Sequence, residues 1–280
     1  MRTSQLETPE VNLYYTVRGS GPMLLILQGG AGDADGSEAL ANELSGDFTV
    51  VTYDRRGLSR STPIRAEGYE IATHADDAAR LIGALSGEPA FVFGSSLGAL
   101  IGVELAARHP GVVRLLIAHE PPLYAILEGA EREEALRGNM EALETFQREG
   151  VPAAMKLMFA RSGTDLNDRE AEIPAVSLST ADPKGMEQRF ANLRHFLTCD
   201  VPAVTRYQPD VGAVTAARSK IIPAVGGATS PSVLPYRCTV AVAGVLHRTP
   251  VDFPGGHTAY MLRPKGVAHR IRELIRQEAR

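Results

Sequence analysis

The stretch Gly94-Ser95-Ser96-Leu97-Gly98 constrains this chain more than any other five residues. It follows Ala90-Phe91-Val92-Phe93, an apolar run that reads as a buried strand. It opens a run from Leu97 to Arg108 whose apolar and small residues suit a helix. A serine at such a junction sits on a sharp, strained turn with its hydroxyl raised above the end of the sheet. The glycines two positions before and after let strand and helix come close enough to make that turn. In isolation the stretch is a turn rich in small residues. The rest of the chain decides between the two readings.

Met23 to Leu27 is a continuous apolar run, the mark of a strand covered on both faces, and it ends in the glycine-rich loop Gln28-Gly29-Gly30-Ala31-Gly32-Asp33. Val11 to Val17 and Phe48 to Tyr53 read as further strands, and Ile71 to Leu85 as a helix between Tyr53 and the serine turn. Val112 to Ala118 is another interior strand. This alternation predicts an α/β chain with a mostly parallel sheet flanked by helices. The regularity stops at Glu120-Pro121-Pro122. From there to about Ala217 only helical patterns occur, over Leu123–Glu149, Val151–Ala160, Gly185–Leu197 and Val211–Arg218. Lys220 to Val225 resumes the sheet, Ser232 to Leu246 is a helix, and Thr249 to Phe253 is the last strand. An amphipathic helix from Val267 to Gln277 closes the pattern. The division expected is a sheet core of residues 1–120 and 218–280, with residues 121–217 as a helical lid.

With 280 residues and 44% hydrophobic composition the chain can bury one large core. A net charge of -4 without a basic stripe argues against nucleic acid and anionic membrane as partners. The first residues, Met1 to Glu7, lack the apolar stretch of a signal peptide, and no apolar run approaches the roughly 20 residues that span a bilayer. Cys199 and Cys238 have no metal-ligand spacing. The expectation is a cytoplasmic protein with reduced thiols, no metal and no cofactor, taking an apolar small molecule. Whether it forms a homo-oligomer stays open.

Four segments in register now carry a resemblance: Leu24-Leu25-Ile26-Leu27-Gln28-Gly29-Gly30, Tyr53-Asp54-Arg55-Arg56-Gly57, the serine turn, and Phe253-Pro254-Gly255-Gly256-His257. The chain resembles the α/β-hydrolases over nearly its whole length, and the insertion after Ala118 falls where that family carries a helical lid. The resemblance implies that Ser96 is a nucleophile and His257 its general base, with the backbone N–H groups of Leu97 and Gly30 forming an oxyanion hole. Six other histidines lack the Gly-Gly-His context, and Asp54 and Arg55 are expected to tie loops together by hydrogen bonds. The glycine loop is followed by no Lys-Ser/Thr and does not satisfy G-x-G-x-x-G, so nucleotide binding is not expected.

Two positions depart from the family pattern. The loop Gly226-Gly227-Ala228-Thr229-Ser230-Pro231, where an acid is usual, holds no carboxylate, and Thr229 stands in its place. Glu120, after the neighbouring strand, is the acid expected instead, since the order Ser96, Glu120, His257 keeps the family's nucleophile-acid-base sequence, with Thr229 as the uncharged alternative. Asp252 is expected to face elsewhere. Gln28 replaces the histidine common before the glycine. Three functions stay open: hydrolysis of an ester, lactone or related acyl bond through a Ser96 acyl-enzyme; elimination, acyl transfer or cyclisation at the same site; and a non-catalytic binding protein on the same scaffold.

Overall fold

The computed structural model describes residues 1–63, 69–165, 168–173 and 183–278. The strands are β1 (Arg2–Glu7), β2 (Val11–Arg18), β3 (Met23–Leu27), β4 (Thr49–Tyr53), β5 (Thr62–Pro63), β6 (Ala90–Ser95), β7 (Val113–His119), β8 (Ile221–Gly226) and β9 (Val251–Phe253). They form one sheet in the order β1-β2-β4-β3-β6-β7-β8-β9, with β5 beside β2. Every pairing from β4 to β9 is parallel, whereas β1 and β2 join antiparallel at one edge. The sequence pattern misses β1 because Arg-Thr-Ser-Gln-Leu-Glu has no core face. Its backbone pairs with β2 from Arg2 opposite Val17 to Glu7 opposite Asn12 while its side chains stay mostly in water.

Of the helices, α1 (Glu38–Leu44), α2 (Ile71–Leu85) and α3 (Leu97–Arg108) connect the first strands, and α9 (Leu234–Leu246), α10 (Ala259–Leu262) and α11 (Pro264–Glu278) lie after β8. Alternate strand residues divide the core between the two faces of the sheet. Leu25, Leu27, Val51, Val92 and Leu116 pack with α2 and α3, while Leu24, Ile26, Val50, Phe91, Phe93 and Ile117 pack with α1 and α11. This is why the central strands read as unbroken apolar runs. Each such side chain contributes about 1.5–3 kcal/mol by leaving water.

Between β7 and β8 the regular secondary structure among the described residues is all helical. A single 3-10 turn at Tyr124–Ile126 precedes α4 (Gly129–Glu149). The expected helix from Leu123 is thus broken, because Glu128 is extended and Gly129 takes a φ of 52°. Next come α5 (Val151–Ser162) and α6 (Pro183–His195). The latter runs without a break into a π-helical turn, Phe196–Asp200, and then into α7 (Val201–Arg206). The shorter α8 (Val211–Ala216) returns the chain to the sheet and ends two residues before the expected limit. Among the described residues, no helix is long and apolar enough to cross a membrane.

Candidate active site

The C-terminal ends of β3, β6, β7 and β9 meet at one edge of the core. Ser96 follows β6 with φ 52° and ψ −122°, a backbone that only close packing around it can hold. That packing explains both glycines. A Cβ at Gly94 would lie 2.5 Å from the Gly98 carbonyl oxygen, and one at Gly98 would lie 2.0 Å from the Leu27 carbonyl oxygen. The Ser96 N–H donates to the His119 carbonyl at 2.8 Å, which ties the turn to the end of β7. From Ala90 to Ala106, Ser96 is the one residue that is not buried. The junction therefore presents this serine alone to solvent.

Leu97 is the first residue of α3, so its N–H has no partner within the helix, and the positive end of the helix dipole lies there. Gly30 has φ 48°, and no atom lies within 4 Å of where its Cβ would be, so its backbone borders open space. The loop around it is closed by the Gly32 N–H donating to Gly29 O at 2.9 Å. A Cβ on Gly29 would come within 3.1 Å of the Ser96 Cβ, which sets the loop against the serine.

Glu120 follows β7 with φ 53° and is completely buried. Its N–H donates to Ala224 O at 3.0 Å. Its Oε1 accepts from the Gly226 N–H at 2.8 Å, and its Oε2 accepts from His257 Nδ1 at 2.6 Å. Burial opposes charge on this carboxyl. The adjacent His119, the His257 hydrogen bond and the Gly226 N–H outweigh burial and bring it down to about 2. An ionised carboxylate only accepts, so Nδ1 of His257 is the donor here, and in the neutral ring the lone pair then falls on Nε2. Neither the Ser96 hydroxyl nor His257 Nε2 carries a hydrogen bond among the described residues, to the other or to a third group.

The residue expectations thus resolve unevenly. Glu120 and His257, 137 residues apart, are in direct contact. Thr229 makes no hydrogen bond to the histidine: its Oγ1 is buried without a partner, and Glu120 already occupies Nδ1. The Thr229 loop instead braces the histidine loop through backbone bonds from Gly227 to Phe253 O at 2.8 Å and from Ala228 to Gly255 O at 2.9 Å. Asp252 is exposed on β9, away from this cluster. The Gln28 side chain is buried with both amide atoms unpartnered. Asp54 and Arg55 do tie loops together. Asp54 accepts from the Ala34 N–H and from Arg60, and Arg55 donates to the carbonyls of Gln28 and Gly30. Among the described residues, no group of three or more His, Cys, Asp or Glu could hold a metal ion.

His119 beside the carboxylate gives a stability signature. Burial pushes its ring from 6.5 down to about 4, so the folded chain keeps it neutral where an unfolded chain protonates it. The unfolded state therefore gains protons first as pH falls from 6.5, and folded stability drops until about pH 4. Melting temperatures between pH 7 and 4 should fall accordingly, and His119→Asn should flatten that slope. Glu120 acts at lower pH: its contribution is present above its ordinary 4.5 and is lost as pH falls through about 2.

Comparison with known proteins agrees with the fold. The family model for the alpha/beta hydrolase fold matches residues 22–194, more than half of the chain. The chain belongs to the α/β-hydrolase fold family. Among α/β-hydrolases of known sequence it is 39% identical over 278 residues to the uncharacterized hydrolase YraK of Bacillus subtilis, covering 98% of this chain and 96% of that one. It is 29% identical over 253 residues to the 2-(acetamidomethylene)succinate hydrolase of Mesorhizobium japonicum, covering 87% of each. In fold it is similar to a thermophilic esterase from Thermogutta terrifontis, with a TM-score of 0.72, 21% identity and 99% of both chains covered. The α/β-hydrolase fold and a hydrolase among enzymes are thereby shown.

Proposed function

We propose that this chain is a cofactor-independent serine hydrolase that cleaves an ester, lactone or related acyl bond of an apolar small molecule. One observation carries the reading: a buried, ionised Glu120 holds His257 through Nδ1 at 2.6 Å, which frees Nε2 to serve as the base for Ser96, the residue that the turn after β6 leaves accessible. One peptide unit separates the His119 carbonyl that holds the Ser96 N–H from the Glu120 that holds the histidine.

In this reading Nε2 takes the Ser96 proton as Oγ attacks the acyl carbon, and the imidazolium is stabilised by Glu120. The tetrahedral oxyanion lies between the N–H groups of Leu97 and Gly30, each such donor being worth about a hundred- to a thousandfold in rate. His257 gives its proton to the leaving group, and a water activated by the same nitrogen releases the acid and restores Ser96. Residues 121–217 serve as a cap over the site. Its Met155, Met158 and Leu193 pack, half-buried, against the cluster that includes Leu97, which supports an apolar substrate. A charged partner on His257 also removes the reason for preferring elimination or transfer, which rested on Thr229 in the acid's place.

A fluorophosphonate probe tests the reading. Mass spectrometry should find one adduct, on Ser96, and an aryl acetate should give a burst followed by turnover with water-derived oxygen in the acid. A folded protein left unlabelled at Ser96 would instead be a binding protein on this scaffold. Turnover without water-derived oxygen would mean elimination or transfer.

A further inference from the structure

The Gly29–Gly30 peptide carries the N–H offered above as an oxyanion donor, and the carbonyls on either side of it are both held by Arg55. Nη1 donates to Gln28 O at 3.1 Å and Nη2 donates to Gly30 O. The guanidinium is itself fully buried, and Nη2 also pairs with Asp200 Oδ2 at 2.9 Å. Asp200 is 1% exposed and is the last residue of the π-helical turn between α6 and α7, so it comes from the insertion and not from the sheet. His74 on α2 holds its other oxygen, Nε2 to Oδ1, at 3.1 Å.

We propose that Arg55 is a positioning residue for the oxyanion loop and that Asp200 aims it, so that the insertion and the loop geometry are energetically coupled. The inference rests on the hydrolytic reading only for its consequence in rate. A planar fork can grip two carbonyls and a carboxylate at once, whereas an ammonium cannot hold that arrangement. With Gln28 O and Gly30 O fixed, the peptide between them cannot rotate at low cost, so the direction of its N–H is fixed. Burial makes the pair interdependent: a guanidinium without Asp200 is an uncompensated buried charge and has to move. The π-helical turn fits such a role, since one widened turn re-aims a single side chain into the fold.

The test uses Asp200→Asn and Arg55→Lys in the full chain. The first keeps the size of the side chain and removes its charge; the second keeps the charge balance and removes the fork, so it remains informative if the first fails to fold. NMR hydrogen exchange at the Gly32 amide, which closes the loop onto Gly29 O, should accelerate by about tenfold or more in each folded variant. The Ser95 amide in β6 should not change. Phosphonylation of Ser96 and kcat for an aryl acetate should fall by about 10- to 100-fold with KM nearly constant, less than or equal to the loss of one donor. Wild-type exchange at Gly32 in a folded variant would overturn the coupling. An accelerated Gly32 together with undiminished phosphonylation would overturn the positioning role. If the wild type itself is not phosphonylated, the hydrolytic reading fails, while the exchange data still decide the coupling.

Discussion

Ser96→Ala should remove fluorophosphonate labelling and reduce turnover by about a millionfold, to the level of binding and oxyanion stabilisation alone. No other hydroxyl at the turn can substitute. Ser95, the preceding residue, lies within β6, is buried, and shares a hydrogen bond with His119 Nδ1 at 3.3 Å. Its side chain points the other way along an alternating strand. The variant should fold as the wild type does, because a methyl group fits wherever the serine side chain fits and the positive φ is unchanged. Circular dichroism and a melting curve verify folding, and initial rates with an aryl acetate measure the loss. Rates within tenfold of the wild type in a clean Ser96→Ala preparation would remove the acyl-enzyme.

Glu120→Gln should lower kcat by about ten-thousandfold. With its oxygen turned to the Gly226 N–H the amide keeps the strand end; flipped, it loses that bond. Towards His257, however, it offers either an N–H, which forces the proton onto Nε2, or a neutral oxygen, which cannot stabilise imidazolium. Both outcomes defeat the base. The two substitutions should not multiply, because Glu120 works only through the proton that Ser96 gives up. A Ser96→Ala, Glu120→Gln double variant is expected to be no slower than Ser96→Ala alone. A Glu120→Gln variant with full activity would mean that the 2.6 Å contact orients the loop and nothing more. Thr229→Asp in the Glu120→Gln background would then show whether the usual acid position can still serve the ring.

The legible parts of this chain are those whose physics is local. The strand-glycine-serine-glycine-helix order is a steric requirement spelled out in five consecutive residues, and the unbroken apolar runs of β3, β6 and β7 follow from burial on both faces of a parallel sheet. Glu120 is legible as the acid only because the usual position holds Thr229 and the order Ser96, Glu120, His257 is kept. Nothing in sequence says that a carboxylate will meet an imidazole 137 positions later, and that meeting depends on β7 and β8 being neighbours. The Arg55–Asp200 pair spans 145 positions and joins the sheet to the insertion. Its π-helical carrier has no distinct period, because one widened turn leaves the apolar spacing of α6 and α7 almost unaltered. The polar strand β1 is illegible for a simpler reason: it is held by backbone pairing at an edge, where side-chain patterning carries no information.

Under the proposed mechanism, the seat of the acid just after β7 has an evolutionary corollary. In this chain the turn after β8 supplies only main-chain braces to its neighbour, so its side chains at Ala228, Ser230 and Ser232 are released from proton traffic. Drift there should be tolerated as long as the backbone path is kept. A lineage with this arrangement could remodel one rim of its pocket, and so its choice of molecule, without passing through a catalytically dead ancestor.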